Sequence, residues 1–122
     1  AQMLKGYKRI CINPALEMSK DADVKLGSHY FVVNRQDGIQ KYVITPEMLQ
    51  GYCRLDAHQF DGITDFDREN CYGLFGDKDA DWGYCKALFA EHYNHIHTYP
   101  GGHKMEYDEI EKYLMPLVKE LV

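Results

Sequence analysis

The chain has 122 residues, of which 45% are hydrophobic and 27% charged, with a formal net charge of -5. That is room for one domain and one core, and the composition excludes a disordered or collagen-like chain. No run approaches 18 apolar residues, so no segment reads as membrane-spanning, and residues 1–5 contain no apolar stretch of a secretory signal.

In chain order, residues 7–13 alternate well enough for a first strand. Asn13-Pro14 reads as an N-cap followed by proline at the first helical position, with a short helix or turn through residues 15–19. Residues 20–28 are polar and read as a loop. Residues 30–36 and 39–45 flank Asp37-Gly38, a type I′ hairpin signal. A two-residue loop would set Gln36 opposite Ile39, Val33 opposite Tyr42 and Phe31 opposite Ile44. Phe31, Val33, Tyr42 and Ile44 would then form a core face.

Thr45-Pro46-Glu47 starts a helix, with a cap, a proline at N1 and an acid in the first turn. Met48, Leu49, Tyr52 and Cys53 form its apolar stripe, and it is expected to end near Arg54. Thr64 and Asp67 resemble a capping box, opening a short helix to about Tyr72 that stops at Gly73. Asp81 can cap a further helix from Trp82 to about Asn94, with Cys85, Leu88, Phe89 and His92 on its inner stripe. Residues 99–102 must turn, and residues 106–121 form a last helix that Pro116 kinks or divides. These pieces predict an α+β fold in one domain over residues 1–122. Its core is expected to be a small antiparallel sheet of about three strands with a central D-G hairpin, packed with three to four helices.

The charge is unevenly spread. Residues 1–55 are net +3, residues 56–81 net -6 and residues 82–122 net -2. Such a focused negative stretch attracts cations or a basic surface, and no basic stripe for nucleic acid accompanies it. Its candidate binding residues are Asp77, Asp79 and Asp81. The D-x-D-x-D start of a calcium loop at 77–81 lacks the glycine at position six and the glutamate at position twelve, which are Trp82 and Leu88.

Four of the six histidines, His92, His95, His97 and His103, fall within residues 92–103. Imidazole is the common zinc ligand, so these are the candidate metal ligands for zinc or a similar divalent ion. On one continuous helix His97 would point about 140° from His92. Convergence therefore requires the helix to end near Asn94, with an extended 95–97 and a turn that folds His103 back. Neither H-E-x-x-H nor its inverted form is present.

The cysteines Cys11, Cys53, Cys71 and Cys85 form no C-x-x-C pair and sit in apolar patterns, which suits reduced thiols and a cytoplasmic setting. Cys85 and His92 lie about 10 Å apart along one helix face, too far for a nucleophile–base bond. Among ten tyrosines, Tyr93, Tyr99 and Tyr107 stand beside the histidines and complete a candidate contact surface.

Residues 30–52, YFVVNRQDGIQKYVITPEMLQGY, resemble a strand–turn–strand–helix segment of small phage- and prophage-encoded accessory proteins. The resemblance implies an accessory or host-interaction role and carries over no catalytic residue. The expected function is a non-catalytic binding module, an accessory or inhibitor protein acting through the acidic and Tyr/His-rich surface on a protein partner or a small polar ligand. The alternatives are a small zinc-type hydrolase using the histidine cluster, with Glu91 or an Asp as base, and a ligand-sequestering protein.

Overall fold

Cys71–Gly76 is the strand on which the rest of the larger unit is assembled, in a computed structural model that describes residues 1–80 and 83–122. The chain forms two units: Ala1–Leu16 with Phe60–Val122, and Glu17–Gln59. Together they contain helices and two small sheets, one parallel and one antiparallel, so the fold is α+β.

In the larger unit β1 (Arg9–Ile12), β4 (Cys71–Gly76) and β5 (His95–Tyr99) form a sheet in the order β1-β4-β5, every pair parallel. Arg9 lies opposite Cys71, and Tyr72 opposite His95. The antiparallel three-stranded sheet expected from the hairpin is therefore corrected: the hairpin stands in its own two-stranded sheet. Parallel neighbours need crossovers, and here α3 (Gly83–His92) carries the chain from β4 to β5.

The first two residues of β4, Cys71 and Tyr72, fall in the stretch expected to be helical. The capping box does form: the Thr64 hydroxyl accepts from the Asp67 amide, and Asp67 accepts from the Thr64 amide at 3.2 Å. Yet α2 spans only Asp65–Asn70 before the chain turns extended. The glycines within β4 are there for close approach. A Cβ on Gly73 would lie 2.5 Å from Phe75 Cε2 and 2.8 Å from Phe89 Cε1, and one on Gly76 would collide with the carbonyls of Gly101 and Gly102.

Alternation puts Cys71, Gly73 and Phe75 on one face of the sheet. There they join Cys11, Leu16, Cys85, Phe89 and Tyr93 in one buried cluster. Phe75 and Phe89 meet edge-on at 5.5 Å between centroids, and burial of such a ring is worth roughly 1.5–3 kcal/mol. The Cys11 and Cys71 sulfurs lie 3.8 Å apart, and all four cysteines are free. Asp67 is also buried, and it accepts from the Gly6 amide, Thr64 and, at 3.0 Å, Arg9 Nη1. The Gly6 amide bond first, then those from Thr64 and Arg9, hold its carboxyl far below the usual carboxylate range.

Helix α3 is shorter than expected. Tyr93 N–H still reaches the Phe89 carbonyl, but the Asn94 N–H goes to Arg68 O at 3.0 Å, and β5 begins at His95. The C-terminal segment runs through α4 (Tyr107–Glu109), a wide π-helical turn (Ile110–Leu114) and α5 (Met115–Leu121) without a break. Pro116 falls in the first turn of α5, and the wide turn precedes it. It accommodates the missing N–H and the ring of proline.

In the smaller unit β2 (Gly27–Tyr30) pairs antiparallel with β3 (Lys41–Ile44), Gly27 opposite Ile44 and Tyr30 opposite Lys41. The expected register is corrected by four positions. A type I′ turn needs positive φ at both central residues. Gly38 has it, at 74°, but Asp37 does not. Asp37 instead pairs with Arg35 and accepts the Ile39 amide at 3.0 Å, so residues 32–39 form a longer loop. Val33, expected in the core, is 68% exposed, while Ile44 is buried. Helix α1 (Pro46–His58) starts at Thr45 as the sequence predicts, with Thr45 Oγ1 accepting from Met48 N, and runs a turn past Arg54. Among the described residues no helix is long and apolar enough to cross a membrane.

Candidate functional site

The three parallel strands end near one another, and Asn13, Tyr99, Asp79 and His103 are linked by hydrogen bonds at that edge. Ligands of parallel sheets sit outside the carboxyl ends of their strands. β1 runs into Asn13, which adopts a left-handed φ of 41° rather than the extended backbone of an N-cap. The short helix or turn expected over residues 15–19 starts late, as one 3-10 turn at Met18–Lys20 that Asn13 does not cap. The Asn13 side chain holds the other two strand ends instead. Asn13 Oδ1 accepts from Gly76 N at 2.7 Å, while Nδ2 donates to Tyr99 Oη and to the His103 carbonyl, each at 2.7 Å. Tyr99 Oη in turn donates to Gly102 O at 2.8 Å.

The segment after β4 is fixed against the segment after β5. Asp77 N donates to Tyr99 O and Lys78 N to Gly101 O, both at 2.9 Å. Asp79 then turns inward. Its side chain is 5% exposed and its Oδ2 lies 2.8 Å from His103 Nδ1, with the His103 ring 48% exposed.

Beside this network lies a cleft of about 220 Å³ lined by Phe75, Gly76, Asp77, Asp79, Gly83, Lys86 and Thr98. Phe75 and Thr98 are opposed in the β4–β5 register, so they present neighbouring side chains on the face that α3 covers. Among the described residues the charged lining is two carboxylates and one ammonium. Among the described residues neither the Asp77 carboxylate nor the Lys86 ammonium is engaged in a side-chain hydrogen bond or ion pair.

The residues singled out from the sequence divide sharply. Asp77 and Asp79 both reach the cleft, and Asp81 lies outside the described residues. Tyr107 is 75% exposed on α4. Tyr93 and Tyr99, expected at a contact surface, are buried, and this is a correction. Their rings complete the core while their hydroxyls find internal partners, Gln2 Nε2 at 2.7 Å for Tyr93 and Asn13 for Tyr99. Burial pushes both phenols above their ordinary pKa.

The four histidines divide among three sets of partners. His92 stacks on Phe60 at 3.8 Å between centroids. His95 stacks on Tyr72 at 4.5 Å and its Nε2 lies 3.1 Å from Glu69 Oε2. His97 shares the His95 side of β5, as extended backbone requires, and lies 6.3 Å from the same Tyr72 ring. His103 belongs to Asp79 at the other end of the strand. The shared zinc centre expected of His92, His95, His97 and His103 is therefore not assembled. Among the described residues no group of three or more His, Cys, Asp or Glu is placed to hold a metal ion.

As site residues, Phe75, Lys86 and Thr98 carry no signal in the sequence, and Asn13 reads there only as a helix cap. The pair of glycines in Cys71–Gly76 is a signal for Gly76 alone, marking a strand with close backbone neighbours. Comparison with protein-family models, with curated proteins and with solved structures finds no match to this chain.

Proposed function

We propose that the chain is a non-catalytic binding module whose recognition centre is the acidic cleft at the carboxyl ends of β4 and β5. The observation that supports this reading is the unpaired Asp77 and Lys86 on the wall of one cleft whose rim is held by Asn13 and by the Asp79–His103 pair. A preorganised rim lowers the ordering cost of binding. At about 220 Å³ the cleft is below the roughly 300–1,000 Å³ of drug-sized and cofactor sites, so the reading favours a small polar ligand over a nucleotide. The accessory role implied by residues 30–52 rests on the resemblance of that segment alone, which belongs to the other unit.

The test is thermal unfolding of the wild type and of a D77N/K86Q double variant against a panel of small polar compounds. A ligand at about one hundred times its Kd stabilises the folded state by about 2.7 kcal/mol, several degrees for a domain of this size. The proposal expects at least one compound to raise the midpoint of the wild type and not of the double variant. Equal responses of both proteins to every compound would refute it.

A further inference from the structure

We infer that this cleft takes a small zwitterion of the free amino-acid class, with its ammonium group on the Asp77 and Asp79 side and its carboxylate at Lys86. The inference rests on the reading just given and names its ligand.

Size is the first argument. A volume of about 220 Å³ is roughly seven times the share of one water molecule in the liquid. That admits an amino acid whole, whereas a nucleotide or a peptide of several residues would extend beyond it. Charge is the second. Asp77 and Asp79 come from the loop after β4, and Lys86 from the first turns of α3, so the two signs stand on separate elements. Asp77 and Lys86 make no ion pair with one another although both line the cleft. A ligand that bridges them must carry a cation and an anion at once. A plain anion would meet two carboxylates, and a plain amine would leave Lys86 uncompensated. The third argument is the remainder of the lining. Thr98 offers a hydroxyl and Phe75 an apolar ring, which suits a short side chain on the same ligand.

The experiment is amide-shift titration of the ¹⁵N-labelled full chain with L-alanine, alaninamide and N-acetylalanine, repeated on D77N, K86Q and a D108N control on α4. Asp77, Lys86 and Asp108 are all exposed, so these variants are expected to fold. L-Alanine should give saturable shifts at Gly76, Asp77, Lys86 and Thr98 in the wild type and in D108N. N-acetylalanine, without the ammonium, should bind at least ~10-fold more weakly, the scale of one lost charge-assisted hydrogen bond. Alaninamide should lose a smaller factor, and K86Q should abolish the difference between alanine and alaninamide. D77N should weaken both. Equal binding of alanine and N-acetylalanine, or an alanine–alaninamide difference that survives K86Q, overturns the assignment. Putrescine or magnesium ions saturating these amides while alanine does not would also overturn it, leaving the cleft as a binding site of another class. No response to any of these probes would remove the amino-acid assignment, while the thermal-unfolding panel decides the binding reading separately.

Discussion

Asn13 is the residue on which the cleft's geometry most depends, and replacing it by alanine should be expensive. The side chain belongs to a residue only 5% exposed, and it joins the ends of all three parallel strands. Alanine removes the acceptor of the Gly76 amide and the donor to the His103 carbonyl and Tyr99 hydroxyl. Each buried polar group left without a partner costs about 1–3 kcal/mol. Tyr99 still donates to Gly102 and keeps part of its bonding. The left-handed φ of 41° adds a backbone penalty of about 1 kcal/mol for alanine. The sum is about 3–7 kcal/mol, a large part of the 5–15 kcal/mol that such a domain has in all. N13G should recover about 1 kcal/mol of it, because glycine tolerates the backbone but restores no hydrogen bond. N13D keeps an acceptor for Gly76 but sets a carboxylate against the His103 carbonyl, so it should be no more stable than N13A. Urea unfolding measures this through the midpoint, with the slope unchanged if the fold is intact. A loss under about 1 kcal/mol for N13A, or an N13G less stable than N13A, would refute this account of the strand ends.

Three further outcomes follow from the larger unit. G73A and G76A should each cost about 1–3 kcal/mol by overpacking, with G76A the worse because its new Cβ meets backbone carbonyls rather than movable rings; urea midpoints would show the order. The Asp67 carboxyl is depressed in the folded chain, so its stabilising contribution is complete above the ordinary carboxylate pKa of about 4 and is lost as the pH falls toward the folded value. Unfolding midpoints of the wild type should therefore drop between about pH 4 and pH 2, and D67N should be less stable at neutral pH but flatter on acidification; parallel curves would contradict the role given to Gly6, Thr64 and Arg9. Cys53 is exposed while Cys11, Cys71 and Cys85 are buried, so brief alkylation of the native chain should add one label by mass spectrometry, and alkylation in denaturant four. More than one label on the native chain would show that the core opens more readily than its packing implies.

Local chemistry legible in the sequence reappears unchanged wherever neighbours in the chain were enough to decide it. Thr45-Pro46 begins a helix because the cap and the fixed φ of proline act within one turn, and Thr64 with Asp67 closes its box for the same reason. The α+β class also came from local pattern. Pairing did not. Whether β1 lies beside β4 or beside the hairpin depends on residues some sixty positions apart, and only the shared burial of Cys11, Cys71, Phe75 and Phe89 selects it. The same non-local packing turned Tyr93 and Tyr99 inward and drew Asn13 from a helix cap to a strap across three strand ends. It also kept the histidines apart, His92 on Phe60, His95 and His97 on Tyr72, and His103 on Asp79. Composition marked residues 56–81 as acidic, but it took the parallel sheet to set Asp77 and Asp79 on one cleft with Lys86. A strand end acquires neighbours only when other strands end beside it, and no stretch of chain specifies that by itself.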